Sequence, residues 1–285
     1  IYPRKLCEAV CMGLREQLLL DASDLMSVDV VGDLGLGEAR QLDNFDEQDT
    51  TWLKYWDDVS GQELRGDLVR EARAEEIAEA MRMKVWRKVP KSQCIARTGK
   101  APVGTRWVDT NKGDSKSPKY RSRLVAQELR RSHEFELFTA TPPIDYVKYL
   151  LSQAASGQDR KDPSCVMIND VKKAFFYAKA TREIYVQLPK EALREGEHDM
   201  CGLLLQSLYG TRDAALNWSL AYTKVLEQIG FKKGESSPCT FYHPGKQIRA
   251  VIHGDDFVSE GSEKSLKWFE AKLKENFEIK TDILG

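Results

Sequence analysis

The sequence predicts an α+β fold for residues 84–285, in which helices back an antiparallel sheet. Two observations carry this prediction. Short apolar runs that end at turn-forming residues alternate with longer segments whose apolar residues recur at helical spacing. In the second half of the chain these segments follow the order β, α, β, α, β, β, α, which is typical of antiparallel strands layered against helices.

The first strands of this fold are runs of apolar and basic residues at 84–89, 105–109 and 120–126. A turn signal, Asn111–Asp114, separates the second run from the third. We therefore expect the three runs to form one small antiparallel sheet with a basic surface. A helix is predicted to begin at Pro142-Pro143. Its apolar stripe consists of Ile144, Val147, Leu151 and Ala154.

The second half of the chain is predicted to supply the main sheet and its helices. The expected strands are Cys165–Ile168, which leads to Asp170, then Ile184–Leu188, and a hairpin of Cys239–Tyr242 with Ile248–Ile252. The expected helices are a short one at 171–180, a long one from Asp213 to Ile229 that ends at Gly230, and one that Ser262 caps. Both long helices have one apolar face, so we expect them to pack on the sheet.

The first 83 residues are predicted to lie outside this fold. Residues 1–20 have the pattern of a short amphipathic helix, and residues 21–59 that of a flexible acidic linker. Ser60–Glu63 matches a capping box, which predicts a helix that continues to about residue 82. The apolar stripe of this helix consists of Leu64, Leu68, Val69, Ala72, Ile77, Ala80 and Met81.

Charge is distributed unevenly along the chain, although the net charge is only −1. Residues 1–83 contain 9 Lys and Arg against 19 Asp and Glu, a net charge of −10. Residues 84–131 contain 14 Lys and Arg against 3 Asp and Glu, a net charge of +11. The basic segment would attract phosphate groups and the acidic segment would repel them.

Several classes of protein are disfavoured by the composition. No run of about 18 apolar residues is present, so we expect no membrane span. The six cysteines form no CxxC pair and only four histidines accompany them, which argues against a zinc site and a disulfide framework. Free thiols favour a reducing, intracellular compartment, either the cytoplasm or the nucleus.

Acidic residues at the ends of two apolar strands are the main candidates for chemistry. Asp255 and Asp256 follow His253-Gly254 at the tip of a predicted hairpin, and Asp170 closes the strand that begins at Cys165. Neighbouring strand ends would bring Asp170 beside Asp255, where carboxylates could hold two divalent cations about 3.5–4 Å apart. The alternatives are a solvent-exposed turn, where Asp is common, and two unrelated surface acids.

Several motifs follow one another in a fixed order along residues 84–285. They are Tyr120–Gln127, Thr141–Ile144, Asp170–Phe175, Ile184–Pro189, Ser207–Gly210, Asp213–Trp218 and His253–Asp256. In this order and at these spacings they resemble the reverse transcriptase of copia-type LTR retrotransposons. The resemblance implies polymerase fingers at 84–163 and a palm at 164–285, with the thumb missing. It places residues 1–83 at the junction between integrase and polymerase, so the chain is expected to be a fragment of a Pol polyprotein in which thumb and RNase H follow.

The resemblance also implies roles for individual residues. Asp170, Asp255 and Asp256 match the catalytic carboxylates that bind two Mg²⁺ ions, with Mn²⁺ as an alternative. Phe175 matches the aromatic residue that excludes a ribose 2′-hydroxyl. The residues expected to contact the incoming deoxynucleoside triphosphate are Lys119, Arg121, Arg123, Tyr209 and Gly210, and strand register decides which of the three basic residues reaches it. His253 and Gly254 are expected at the primer, and Trp218 is expected in the core.

The implied activity is RNA-directed DNA synthesis, in which a primer 3′-hydroxyl attacks a deoxynucleoside triphosphate on a template. Some residues depart from the family pattern, notably His253-Gly254 before the acidic pair, polar Asn169 before Asp170, and Lys173. One alternative is therefore an inactive retroelement remnant that at most binds nucleic acid through residues 84–131. Another is a nuclease or other phosphotransferase that uses the same acids.

Overall fold

The computed structural model describes residues 54–114, 116–128, 142–156 and 162–284, which all belong to one compact unit, Leu53–Gly285. The predicted helix at 1–20 and most of the predicted linker lie outside the described residues. No described helix is both long enough and apolar enough to cross a membrane. Cys94, Cys165 and Cys201 are free thiols.

The described residues form a mixed structure of short strands and helices. The strands are β1 (Tyr55–Trp56), β2 (Glu63–Leu64), β3 (Trp86–Pro90), β4 (Thr105–Asn111), β5 (Tyr120–Ala126), β6 (Ser164–Val171), β7 (Tyr185–Val186), β8 (Met200–Leu204), β9 (Lys232–Lys233), β10 (Thr240–His243), β11 (Ile248–His253), β12 (Asp256–Ser262) and β13 (Ile279–Leu284). The α-helices are α1 (Gly66–Arg82), α2 (Lys91–Thr98), α3 (Ile144–Ser156), α4 (Ala214–Gln228) and α5 (Glu263–Lys274). Two short 3₁₀ helices lie at Ala174–Tyr177 and Lys190–Ala192.

The largest sheet has six antiparallel strands in the order β13-β6-β12-β11-β10-β9. Side chains alternate between its two faces. One face packs against α4 and α5, with a core that includes Met167, Trp218, Leu226, Ile252, Phe257, Phe269 and Leu273. Helix α3 contacts β6, β11 and β12 and lies over part of the other face, where Ser164 donates a hydrogen bond to Glu260. The predicted α+β arrangement of an antiparallel sheet backed by helices is confirmed.

Most of the helices and strands predicted for the main sheet and its helices are confirmed. Helix α4 begins after Asp213, and the chain turns at Gly230, whose φ of 102° favours glycine. Helix α5 is capped by Ser262, whose Oγ accepts a hydrogen bond from the amide of Ser265 at 3.4 Å. The predicted hairpin forms as β10 and β11. The helix predicted at 171–180 is wrong, because only the single 3₁₀ turn Ala174–Tyr177 is helical there.

The predicted three-stranded basic sheet is wrong in its pairing. Strands β4 and β5 form an antiparallel pair, as expected, but β3 pairs with β8 in a separate sheet of order β3-β8-β7. Val85, just before β3, is fully buried with Ile77 of α1 and Leu204 of β8. An alternating pattern identifies a strand, but it does not select the partner of that strand.

Helix α1 begins later than the capping box at Ser60–Glu63 predicts. The Asp57 carboxylate accepts the amides of Val59 and Ser60, and Glu63–Leu64 forms β2 against β1. The helix therefore starts at Gly66. Its buried residues Val69, Ala72, Ile77 and Ala80 confirm most of the predicted stripe, whereas Met81 and, on α3, Ile144 are exposed.

Candidate active site

The tip of the β11–β12 hairpin is a two-residue turn of Gly254 and Asp255. Gly254 has a φ of 58°, in the left-handed region that glycine adopts without steric cost. Trp218 Nε1 donates to the Gly254 carbonyl at 2.7 Å, and the Val171 amide donates to the Asp255 carbonyl at 3.0 Å. Helix α4 and strand β6 therefore fix the backbone of the turn. Trp218 is buried in the core, as predicted, and also supports the site.

Three acidic residues lie at this end of the sheet. Asp170 and Asp256 are direct cross-strand partners on β6 and β12, a geometry in which Cα atoms lie about 4.5–5.5 Å apart. The backbone bond from Val171 holds Asp255 beside the same pair. Asp170 is exposed, Asp255 is half-buried and Asp256 is buried. The expected neighbourhood of Asp170 and Asp255 is therefore observed.

The pKa of Asp170 is raised above its usual range. Although its side chain reaches solvent, desolvation by the surrounding protein is the largest cause, and the negative charge of Asp255 adds to it. The positive charges of Arg121, Lys280 and Arg123 act in the opposite direction without reversing the shift. These basic neighbours therefore do not return the pKa of Asp170 to its usual range.

Lys280 is a basic neighbour that the sequence analysis missed. It is the cross-strand partner of Asp170 on the other side of β6, because β13 pairs with β6 along the edge of the sheet. Strand β13 was not predicted, although Ile279, Thr281 and Ile283 alternate with polar residues. That alternation was the signal that could have identified both the strand and the exposed lysine.

Strand β5 carries two of the three candidate phosphate-binding residues toward the carboxylates. Arg121 and Arg123 are half-buried, lie on one face of β5 by alternation, and both lower the pKa of Asp170. Lys119 lies instead in the turn between β4 and β5, where its side chain is exposed and its amide donates to Asn111 Oδ1 at 2.8 Å. The charges of Arg121 and Arg123 thus act on the Asp170 carboxyl, and Lys119 is not among the main charges that do so.

Tyr209 and Gly210 join β5 to the rest of the site. The Ala126 amide at the end of β5 donates to the Tyr209 carbonyl at 2.7 Å. Gly210 has a φ of 78°, and a Cβ there would lie 2.0 Å from the Ala126 carbonyl oxygen. A side chain at position 210 is therefore excluded by sterics and by backbone conformation.

The Tyr209 ring lies between a cation and an aromatic residue. The Arg123 guanidinium is 5.3 Å from the centre of the ring, and the Phe175 ring is 4.9 Å from it in an edge-to-face arrangement. Burial raises the pKa of Tyr209, and the opposing charges of Arg123 and Asp255 also act on it. Phe175 is half-buried, whereas Phe176 beside it is fully buried.

The donor set fits a hard divalent cation. Carboxylate oxygens are the ligands that Mg²⁺ and Mn²⁺ prefer, and a cation would stabilise the charged form of Asp170, which desolvation and the charge of Asp255 disfavour. Within the described ranges, no three His, Cys, Asp or Glu side chains are arranged to hold one metal ion together. Asp170 and Asp255 are the pair of carboxylates that could share such an ion, and Asp256 is more deeply buried beside them.

Comparisons with known proteins identify relatives of this chain. The family described as reverse transcriptase (RNA-dependent DNA polymerase) matches residues 84–283. The retrovirus-related Pol polyprotein from transposon TNT 1-94 of Nicotiana tabacum is 30% identical over 184 residues, which make up 62% of this chain and 13% of that polyprotein. A solved structure of apo telomerase from Candida tropicalis, truncated from its C-terminal domain, aligns with a TM-score of 0.39 at 11% identity and covers 78% of this chain and 56% of that one.

Proposed function

The chain belongs to the reverse transcriptase family and is similar to copia-type retrotransposon members, and we propose that it copies an RNA template into DNA. A primer 3′-hydroxyl would attack the α-phosphate of a deoxynucleoside triphosphate and release pyrophosphate. One observation carries the proposal: Asp170 of β6 lies beside Asp255 and Asp256 of the β11–β12 hairpin, opposite Arg121 and Arg123.

The proposed architecture follows the division expected from the sequence. The β4–β5 hairpin would belong to fingers at 84–163, and the six-stranded sheet would form a palm at 164–285. Residues 1–83 would link this part to an integrase, and thumb and RNase H would follow in a longer Pol polyprotein. The template–primer would then lie between the basic face of β5 and the acidic end of the sheet.

Asp170 and Asp255 would hold Mg²⁺, with Asp256 as a third carboxylate beside them. When bound, two such ions would acidify the primer 3′-hydroxyl and neutralise the departing pyrophosphate. The chain's own contribution is geometric, since Trp218 and Val171 fix the backbone on which Asp255 stands. A preorganised site of this kind loses little free energy to reorganisation during the reaction.

The nucleotide would contact the basic and aromatic residues that surround the carboxylates. Arg121 and Arg123 would bind the triphosphate, because a guanidinium pairs with phosphate oxygens in a bidentate manner. Phe175, supported by Tyr209, would lie under the sugar and collide with a 2′-hydroxyl. Gly210 would keep the loop close to β5, and Lys119 would contact nucleic acid from the hairpin turn.

His253 and Gly254 would contact the primer end. His253 is the cross-strand partner of Asp256 and is half-buried, so it lies at the same end of the sheet as the carboxylates. Its imidazole offers a hydrogen bond to a sugar or phosphate oxygen. Gly254 brings the backbone of the turn close to the primer without a side chain in between.

Substitution of single carboxylates tests the proposal. We expect Asp170→Asn and Asp255→Asn to lower primer extension on an RNA template by about three powers of ten or more, with binding of primer–template nearly unchanged. Asp282→Asn, on the neighbouring strand β13, is the matched control and should retain extension. Full extension by either site variant would refute the assignment. Binding without extension by the unsubstituted chain would favour the alternative of an inactive, nucleic-acid-binding remnant.

A further inference from the structure

A buried ion pair connects helix α1 to the turn that follows Asp170. Lys173 Nζ donates to Glu76 Oε2, although the two residues are 97 positions apart in the sequence. The side chain of Glu76 is only 1% exposed and that of Lys173 only 13%. The second carboxylate oxygen of Glu76 is buried and has no hydrogen-bond partner, so the lysine is its main compensation.

Lys173 has a backbone conformation that a lysine seldom adopts. Its φ of 56° and ψ of 43° lie in the left-handed region, where an L side chain is disfavoured. Lys173 starts the short 3₁₀ helix, because its carbonyl accepts the Phe176 amide at 2.9 Å. The same turn carries Phe175 to the Tyr209 ring. A contact that holds Lys173 in this conformation therefore also fixes the position of the Phe175 side chain.

A second contact between α1 and the turn is apolar. Phe176 is fully buried in one cluster with Ile77 and Ala80 of α1. Helix α1 thus contacts the turn before and after Phe175. The ion pair holds Lys173, and apolar packing holds Phe176. The apolar contact is made by Phe176, whereas the ion pair is made by the side chain of Lys173 itself.

We propose that Glu76 is a positioning residue, which holds Lys173 in its left-handed conformation and thereby sets Phe175 beneath the nucleotide sugar. Residues of α1, which the sequence places outside the polymerase, would then contribute to nucleotide selection. The link to sugar selection rests on the proposed function, whereas the link to the conformation of the turn does not.

Hydrogen exchange and nucleotide selection measured on the same variants test the proposal. In Glu76→Gln we expect the amides of Phe176 and Ala178, which are bonded within the turn, to exchange about tenfold faster, while amides of β10 and β11 are unchanged. The preference for deoxynucleotides over ribonucleotides should fall about threefold or more. Glu79→Gln on the same helix breaks a surface pair with Arg82 and is the matched control.

A rescue variant separates positioning from general stability. Asn tolerates the left-handed region better than Lys, so Lys173→Asn in the Glu76→Gln background should restore slow exchange of the turn amides and most of the sugar preference. If Glu76→Gln exchanges like Glu79→Gln, or if Lys173→Asn gives no rescue, the proposal is overturned. Local opening without a change in sugar preference overturns the link to Phe175. In a chain without polymerase activity, exchange alone decides the role of the ion pair.

Discussion

Two clusters of charged side chains in this molecule are built in opposite ways. In the first, Arg182 donates to both oxygens of Glu128 at 2.9 Å and to Asp213 at 2.6 Å, and Arg212 donates to Glu128 as well. In the second, Asp170, Asp255 and Asp256 gather at the end of the sheet. In the described part of the chain, neither Asp170 nor Asp255 has a hydrogen-bonded basic partner.

The pKa directions of the two clusters differ accordingly. Burial alone would raise the pKa of Asp213 and of Glu128. Hydrogen bonds and the positive charge from Arg182, together with further hydrogen bonds at each carboxyl, more than reverse this, so both pKa values lie below their usual range. Burial and the charge of Asp255 raise the pKa of Asp170. The two carboxyls of the first cluster are thus neutralised by basic groups of the chain, whereas Asp170 is destabilised in its charged form.

The largest expected effect comes from breaking the paired cluster. Arg182→Met should cost about 3–5 kcal/mol, because it leaves the buried carboxylate of Asp213 without its partner at the start of α4. The melting temperature should fall by about 10 °C. Arg97→Met removes an exposed pair with Glu183 and should leave the stability nearly unchanged, because solvent screens the pair. If thermal or urea unfolding shows the same loss of stability in Arg182→Met and Arg97→Met, the cluster around Arg182 does not stabilise the fold more than a surface ion pair does.

The next prediction compares two adjacent aromatic residues beside the acidic cluster. Phe175→Ala should raise ribonucleotide incorporation relative to deoxynucleotide by about tenfold or more, equivalent to about 1.4 kcal/mol, with little loss of stability. Phe176→Ala empties a fully buried position and should cost about 3–5 kcal/mol with no selective effect on the sugar. Incorporation of both nucleotide types and the melting temperature, measured on both variants, distinguish a role in sugar selection from a role in the core. A large stability loss in Phe175→Ala with unchanged sugar preference would place Phe175 in the core.

Salt dependence tests whether the basic segment 84–131 complements the acidic cluster. Its net charge of +11 should displace several counterions, so primer–template affinity should fall about tenfold or more between 50 and 200 mM salt. Replacing Arg121 and Arg123 with Gln should reduce the slope of log affinity against log salt. A flat dependence in the unsubstituted chain would contradict a phosphate-binding role for this segment.

Deletion of the acidic N-terminal region provides the control for that measurement. Residues 1–53 hold 4 Lys and Arg against 11 Asp and Glu, so their removal should not weaken binding. The deletion should stop before β1, because Asp57 and Asp58 accept backbone amides of β4 and Arg73 of α1 pairs with Asp109. Lost binding after removal of residues 1–53 would show that the basic segment is not sufficient.

The acidic cluster could be predicted from the sequence, whereas the paired cluster could not. Asp170 and Asp255 each end an apolar run, and the order of the surrounding motifs resembles that of a family in which such acids share one site. Glu128 and Arg182 are 54 residues apart, and no local pattern selects one acidic or basic residue from the many on the surface. The same limit hid Glu76, whose partner lies 97 residues away.

Errors at element boundaries have local physical causes. A capping box at Ser60 satisfies the sequence rule, but Asp57 already accepts the Ser60 amide, and the chain uses Glu63 and Leu64 in a strand. The pairing of β3 with β8 also escaped prediction, because it depends on the burial of Val85 between α1 and β8. In both places tertiary contacts overrode a valid local signal.

The smallest expected effect distinguishes the two clusters by its sign. At neutral pH, Asp170→Asn should raise the melting temperature by about 1–2 °C, since it removes a charge that desolvation and the charge of Asp255 disfavour, and solvent screening keeps the effect small. The pKa of Asp170 is higher in the folded state, so ionisation destabilises the fold above that pKa. As pH falls, the carboxyl becomes protonated and the advantage of Asn disappears.

Asp213→Asn should show the reverse behaviour in the same titration. The pKa of Asp213 is lower in the folded state, so its charge stabilises the fold at neutral pH, and this contribution is lost as pH falls through the folded pKa. The variant should therefore be less stable than the unsubstituted chain at pH 7, with a difference that shrinks in acid. Melting curves between pH 3 and pH 7 measure both trends. If Asp170→Asn destabilises the chain at neutral pH as Asp213→Asn does, then Asp170 is neutralised within the fold, and no uncompensated charge remains there to attract a cation.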